Sequence, residues 1–346
     1  MYLTNLKKAS CPDRREGQAL FMSDISIYPL EFDHIFKTVI WGGTRIAEFK
    51  RVQSTADNIG ESWEISGIRD KESTITNGAF AGKKLSEAID VLKGDLIGEH
   101  IFNAYGNQFP LLIKFIDAYQ NLSLQVHPDN EMAEKYHNTY GKTEMWYVLE
   151  SADHAKIYSG FNRDLSPEEY EKCIADNTII DAVNCCESTP GDLFYLPPGR
   201  IHAIGSGNFL IEIQRTCDIT YRVYDYNRKD KDGNTRELHT ERAKEALDFT
   251  RTPNSKTDYQ LKKQGISDLI SCEYFQSQLA VVDGVQHFNY AQADSFKILI
   301  CTEGEATVTC DNGTSCRIRQ GKTILIPAAI KSFDIEGRTT LLTVTA

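Results

Sequence analysis

The run Leu122-Ser123-Leu124-Gln125-Val126-His127-Pro128 constrains this chain more than any other stretch. Its apolar–polar alternation is that of a strand with one face in a core and the other free for chemistry. Leu122, Leu124 and Val126 fall on one side, and Ser123, Gln125 and His127 on the other. Gln125 and His127 therefore converge. Seventeen residues further on, Glu144 opens the apolar run Glu144-Met145-Trp146-Tyr147-Val148-Leu149, and His202 follows the constrained turn Pro197-Pro198-Gly199-Arg200. Singly, each has an ordinary reading: a solvated strand histidine, a surface carboxylate, an amide that is a weak ligand. Together, two imidazoles and oxygen donors suit zinc and other first-row divalent ions, with a position left open for water or substrate.

The rest of the composition narrows the classes. A chain of 346 residues, 41% hydrophobic, is long enough for one large or two ordinary domains with real cores. A net charge of −11 argues against a nucleic-acid or anionic-membrane binder, so no nucleic-acid partner is expected and any anionic ligand must find a local basic pocket. No apolar run is long enough to span a bilayer, and residues 1–22 lack the apolar core of a signal peptide. The nine cysteines are odd in number and lack CxxC spacing, which fits a reducing cytoplasm.

Strand-like segments dominate. They are expected at Leu122–His127, Met145–Leu149, Leu193–Leu196, Phe209–Gln214, Ala280–Val282, Phe296–Thr302, Ala306–Cys310, Thr323–Ile326 and Leu341–Val344, between Gly, Pro, Asn and Asp punctuation. Helical spacing links Leu85, Ala88, Ile89, Leu92 and Leu96; Ser166-Pro167-Glu168-Glu169 starts a second helix, and a third is expected over Thr240–Phe249. Strands and helices do not alternate regularly, which disfavours a doubly wound sheet.

Residues 1–24 read as a disordered leader. A composition shift near Thr250-Arg251-Thr252-Pro253 divides the remainder into 25–250 and 251–346. The second part echoes the first: Gly321-Lys322-Thr323-Ile324-Leu325-Ile326-Pro327 repeats the form of Gly191-Asp192-Leu193-Phe194-Tyr195-Leu196-Pro197, with Lys331 standing where the first copy has His202.

Several ordered blocks carry a resemblance to a known family: Trp41-Gly42-Gly43, Gly60-Glu61-Ser62-Trp63-Glu64, Pro110 to Ala118, Leu122 to Pro128, Lys142-Thr143-Glu144-Met145-Trp146-Tyr147 and Pro198-Gly199-Arg200-Ile201-His202-Ala203. Together they resemble the type I mannose-6-phosphate isomerases, from about Tyr28 to the C-terminus. The resemblance implies a mainly β protein with a few helices, built from two cupin-type jelly-roll barrels. The first, 25–250, would be catalytic with helical insertions, and the second, 251–346, degenerate. It implies one zinc ion per chain, held by Gln125, His127, Glu144 and His202, and a small sugar phosphate as partner.

The family's arginine after the last histidine matches Arg222 in Asp218-Ile219-Thr220-Tyr221-Arg222, its lysine beside the metal carboxylate matches Lys142, and its lysine in the preceding strand matches Lys114. Arg200 departs from the usual small residue of its block. The implied chemistry is interconversion of mannose 6-phosphate and fructose 6-phosphate through a cis-enediol. Arg222, Lys142 and Asp218 are then the expected catalytic set, with Glu64 or a metal-bound water as candidate base. Lys114, Lys142, Arg200 and Arg222 are the expected substrate cations. A metal-dependent cupin oxygenase and a noncatalytic sugar-phosphate binder remain as alternatives.

Overall fold

Leu111-Leu112-Ile113-Lys114-Phe115-Ile116 has almost no polar residue to turn toward water, so its strand must be covered on both faces. The computed structural model, which describes residues 26–229 and 232–346, shows what covers it. The leader expected over 1–24 lies outside the described residues.

Among the described residues the strands form three sheets. The first runs β2 (Ile35–Gly43), β3 (Ile59–Ser66), β4 (Leu111–Ala118), β11 (Asn208–Arg215), β6 (Glu144–Ser151), β9 (Leu193–Leu196). The second runs β12 (Tyr221–Tyr224), β5 (Leu124–Val126), β10 (His202–Ile204), β7 (Lys156–Phe161), β8 (Val183–Glu187). They face each other across a core of Trp41, Ile116, Trp146, Val148, Ile157, Phe194, Leu196, Ile204 and Leu210. Trp146 is fully buried there, and a side chain of that size contributes on the order of 2–3 kcal/mol through burial.

The third sheet is C-terminal, apart from its edge. It runs β1 (Leu30–Glu31), β17 (Thr323–Ile326), β15 (Lys297–Cys310), β18 (Ser332–Thr345), β14 (Gln276–Asn289), β13 (Gly265–Ser271), with β16 (Ser315–Arg319) added to β15. Its edge strand β1 comes from the other end of the chain and pairs Leu30 with Leu325. The two strands expected at 296–302 and 306–310 are one strand, because β15 pairs with β18 along its whole length and bulges between Cys301 and Glu303. Gly304 makes this possible: at φ +74 its missing Cβ would lie 2.1 Å from the Arg338 carbonyl.

Helices cover the outer faces. Ser166 and Glu169 close a capping box on α6 (Pro167–Ala175), with Pro167 at its start. Asp129 caps α5 (Asn130–His137) through the Met132 amide, and Asn138 ends it at φ 50. These two and α7 (Thr240–Ala246) flank the outer face of the five-stranded sheet, where Leu124, Val126, Ile201 and Tyr221 are buried. The long helix expected from Leu85 breaks at Lys93, whose amide closes onto the Ile89 carbonyl, giving α2 (Leu85–Leu92) and α3 (Gly94–Ile97). α7 stops at Ala246, short of Phe249, because Leu247 is extended.

The outer face of the six-stranded sheet supplies Ile113, Phe115, Met145, Phe209 and Ile213 to the largest cluster. Alongside α1 (Arg45–Lys50), α2, α3 and α4 (Glu99–Tyr105), the C-terminal Phe275, Leu279, Phe296, Ile298 and Leu342 join it. Ending the chain after Pro253 uncovers this face, and an apolar patch of that kind drives aggregation. The truncated protein is expected to be insoluble on expression; a soluble, active product would contradict this packing.

Candidate metal centre

β5 lies between β10 and β12, and at one level His202, Gln125 and Arg222 stand directly opposite one another across the three strands. Residues opposed in an antiparallel ladder share a face, so this row points one way, away from Leu124 and Val126. His127 follows two residues after Gln125 on that same face. Gly199 shapes the turn that delivers His202: it sits at φ +83, and its amide bonds the His127 carbonyl at 3.0 Å.

Each imidazole has one nitrogen fixed by a carbonyl. His127 Nδ1 lies 2.8 Å from the Ile219 oxygen, and His202 Nδ1 lies 2.8 Å from the Arg200 oxygen. A carbonyl only accepts, so both Nδ1 atoms carry hydrogen and both Nε2 atoms present lone pairs. Those two Nε2 atoms are 3.2 Å apart. Glu144 Oε1 is 3.3 Å from His202 Nε2, and Oε2 is 3.6 Å from His127 Nε2. Gln125 places its amide 3.4 Å from His202 Nε2, and turning the amide over brings its oxygen forward.

Three of the four side chains are buried, Glu144 fully and His127 and His202 to 2% and 1% exposed, while Gln125 is half-buried. Lys142 Nζ lies 2.9 Å from Glu144 Oε2, yet neither carboxylate oxygen receives an aligned hydrogen bond. Apart from the Lys142 ammonium beside Oε2, the inward-facing atoms of Glu144, His127 and His202 are acceptors, and their convergence costs free energy unless a further cation satisfies them. Two neutral imidazole nitrogens, one carboxylate and an amide oxygen fit a divalent ion such as zinc.

The electrostatics agree. Burial lowers both histidines, His202 to about 3, so they are neutral ligands at neutral pH. Burial would raise Glu144, but the Lys142 ammonium beside it outweighs burial and holds the carboxyl well below its usual range. Burial would likewise lower Lys142, but Glu144 and Glu212 overcome it and raise the ammonium pKa.

Glu212 is the site residue that sequence reading missed. It is 3% exposed on β11, opposite both Lys114 and Trp146. Its carboxylate takes Lys114 Nζ at 2.7 Å and Trp146 Nε1 at 2.9 Å, with Lys142 Nζ at 3.9 Å. A carboxylate in the middle of Phe209-Leu210-Ile211-Glu212-Ile213 was the available signal, since such groups are rarely buried without partners. Lys114 is held protonated by Glu212 and Glu61 in spite of its burial.

The other expected residues divide. Asp218 pairs with Lys71 at 2.6 Å on the wall of a pocket of about 560 Å³. Ile219, whose carbonyl holds His127, lines the same pocket. Arg222 shares the ligand face, but its Nη1 donates to the Glu237 carbonyl at 2.7 Å and its buried Nε has no partner. Arg200 is not brought in as a substrate cation. Its carbonyl orients His202, while its guanidinium donates to the Tyr195 carbonyl at 3.4 Å and faces Asp248. Glu64 is not brought in as a base. The ladder shifts between Trp63 and Ile65, and Glu64 leaves by the outer face. There it pairs with Lys50 at 2.6 Å and accepts from Ser62, while Lys50 also reaches the Gly321 carbonyl of the C-terminal sheet.

Three outcomes follow. Glu144→Ala should weaken zinc binding by more than the 10–100-fold loss, roughly, seen for groups behind the ligands; retained tight zinc in equilibrium dialysis would refute the ligand set. Glu64→Ala strands the Lys50 charge and should cost about 3–5 kcal/mol in denaturant unfolding, with kcat of the folded fraction unchanged. Because the histidine pKa values are lower folded than unfolded, the unfolded chain binds more protons below pH ~6.5. Metal-stripped protein should therefore lose stability as pH falls from about 6.5 toward 3, by up to about 1.4 kcal/mol per unit per histidine. His127→Gln with His202→Gln should flatten that slope, as read by unfolding at several pH values.

Comparison with known proteins identifies the family. Residues 12–152 match the profile described as "Phosphomannose isomerase type I, catalytic domain", and residues 265–346 match "Mannose-6-phosphate isomerase, cupin domain". The chain is 34% identical to mannose-6-phosphate isomerase ManA of Bacillus subtilis over 89% of its own length and 96% of that protein. It is 33% identical to the mannose-6-phosphate isomerase of Streptococcus mutans, over 86% and 92%. The crystal structure of a Bacillus subtilis mannose 6-phosphate isomerase superimposes with a TM-score of 0.81 at 29% identity, covering 92% of this chain and 99% of that one. A zinc-bound mannose 6-phosphate isomerase shares the fold at a TM-score of 0.76 and 18% identity, covering 92% and 99%. By sequence and by fold, this chain belongs to the type I mannose-6-phosphate isomerase family.

Proposed function

We propose that the protein is a zinc-dependent aldose–ketose isomerase that interconverts mannose 6-phosphate and fructose 6-phosphate through a cis-enediol, with one zinc ion held by Gln125, His127, Glu144 and His202. The observation that carries the reading is the convergence of the buried ligand atoms of His127, Glu144 and His202, with both Glu144 oxygens lacking an aligned hydrogen bond. Zinc at that point supplies positive charge to the sugar's O1/O2 region.

The side chains around it have distinct parts. Shifting a proton between C1 and C2 builds negative charge on the enediol oxygens, and fixed cations lower that barrier. Lys142 and Lys114 are kept as ammonium ions by Glu144, Glu212 and Glu61, so they act as donors to developing charge and not as bases. Glu212 orients both while the Trp146 N–H fills its second oxygen. Arg222 stands one strand beyond Gln125 and offers a half-buried guanidinium to the substrate's charge. Asp218 and Lys71 border the pocket through which a polar sugar would enter.

We read 25–250 as the catalytic cupin unit and 251–346 as a degenerate one, each a barrel. A shared register supports the repeat: Glu144 pairs with Leu196 as Lys297 pairs with Ile326. A lysine thus takes the place of the ligand carboxylate, its Nζ donating to the Ser295 carbonyl at 2.6 Å with Lys331 nearby. A cytoplasmic location fits eight free cysteines among the described residues.

The test is a coupled assay for conversion of mannose 6-phosphate to fructose 6-phosphate, with chelation and zinc return. Turnover should vanish on chelation and come back with zinc. Arg222→Ala should keep its zinc and lose on the order of 10²–10³ in kcat. Unchanged turnover in that variant would remove Arg222 from the mechanism.

A further inference from the structure

The segment that carries Lys142 toward Glu144 is held by a residue that touches none of the four ligands. Arg215 ends β11 and is 4% exposed. Its Nη1 donates to Asn130 Oδ1 at the start of α5 and to the Gly141 carbonyl, the latter at 3.3 Å, and its Nη2 donates to the Tyr105 hydroxyl of α4 at 3.3 Å. The guanidinium lies 4.0 Å from the ring centre of Tyr274 and 4.9 Å from that of Tyr140. Asn130 closes the arrangement, accepting from the Gly141 amide at 3.1 Å and donating to the Tyr274 hydroxyl at 3.0 Å.

The backbone is pinned at the same place. The Arg215 amide bonds the Thr143 carbonyl, and the Lys142 amide bonds the Pro128 carbonyl, each at 3.1 Å. Gly141 packs so tightly on the start of α5 that a Cβ there would lie 2.5 Å from the Asp129 backbone. Residues 140–143 are therefore fixed from two sides. Tyr140 also forms part of the pocket wall beside Asp218.

Electrostatic pairing does not explain this burial. Among the described residues Arg215 forms no ion pair, and its Nε lacks a partner. A buried guanidinium without a carboxylate is costly, and what it gains here is amide, hydroxyl and aromatic contacts that all converge on one loop. Tyr274 lies between β13 and β14, so the contact also ties the C-terminal sheet to the loop bearing Lys142.

We propose that Arg215, backed by Tyr274, is a positioning residue for catalysis: it fixes residues 140–143 and through them the place of Lys142 Nζ beside Glu144. What Lys142 does there rests on the isomerase reading, but the clamp does not. Arg215→Lys keeps the charge and loses the planar fork and the stacked face. Tyr274→Ala removes the ring from the partly exposed side and disturbs the core less.

In both variants amide hydrogen exchange at residues 140–143 should quicken while zinc content stays the same. Their kcat should fall on the order of 10–100-fold, as expected for a displaced catalytic group, with KM within about twofold of wild type. In a Lys142→Met background, Tyr274→Ala should cost no further activity. Unchanged exchange, faster exchange with unchanged kcat, or a fully additive loss in the Lys142→Met background would each overturn the proposal. If wild-type protein does not turn over mannose 6-phosphate, the isomerase reading fails separately, and exchange at 140–143 still decides whether the clamp exists.

Discussion

A buried site where two imidazole lone pairs and a carboxylate converge, with the Lys142 ammonium on one side only, is the constraint on which the rest depends. Two imidazole lone pairs 3.2 Å apart repel, and a buried carboxylate beside them has no aligned donor. Such a cluster persists in a fold only if something positive completes it. The carbonyls of Ile219 and Arg200 take the Nδ1 hydrogens and thereby select which nitrogen of each ring faces inward. Both carbonyls lie in the connections just before β10 and β12, so the turns that deliver those strands also set the ligand chemistry.

Around that cluster, charge is arranged in layers. Lys142 offsets Glu144, and Glu212 offsets Lys114 while remaining near Lys142. Each group is buried, and each is tolerable only because its partner is present. This interdependence explains why burial does not neutralise the lysines, which stay charged beside the cavity. Beyond these charge pairs, Arg215 joins the loop bearing Lys142 to Tyr274 through a carbonyl hydrogen bond and a ring contact. The C-terminal sheet thus does more than cover the apolar outer face of β4, β6 and β11.

Much of this was legible in the sequence. Strand alternation placed Gln125 and His127 on one face, and the proline-rich turn singled out His202, because both signals are local. The partners of Glu64 and Arg200 were not legible, because local pattern does not say by which face a side chain leaves a strand or a turn. Alternation with Ser62 already puts Glu64 on the outer face beside Lys50, and the shift between Trp63 and Ile65 turns Ile65 to that face as well. Glu212 and Arg215 were missed for a related reason: their partners lie 98 and 85 residues away in the chain, and only tertiary packing brings them together. The break expected between strands Phe296–Thr302 and Ala306–Cys310 is absent because long-range pairing with β18 carries the strand through a bulge there.

Zinc K-edge X-ray absorption on the purified protein addresses the central claim most directly, because it counts and identifies the atoms around the ion. Stoichiometric zinc with only nitrogen and oxygen neighbours at about 2.0–2.2 Å, including the outer-shell scattering of two imidazoles, is the expected result. Sulfur neighbours near about 2.3 Å, a single imidazole, or no bound zinc in folded protein would contradict the account.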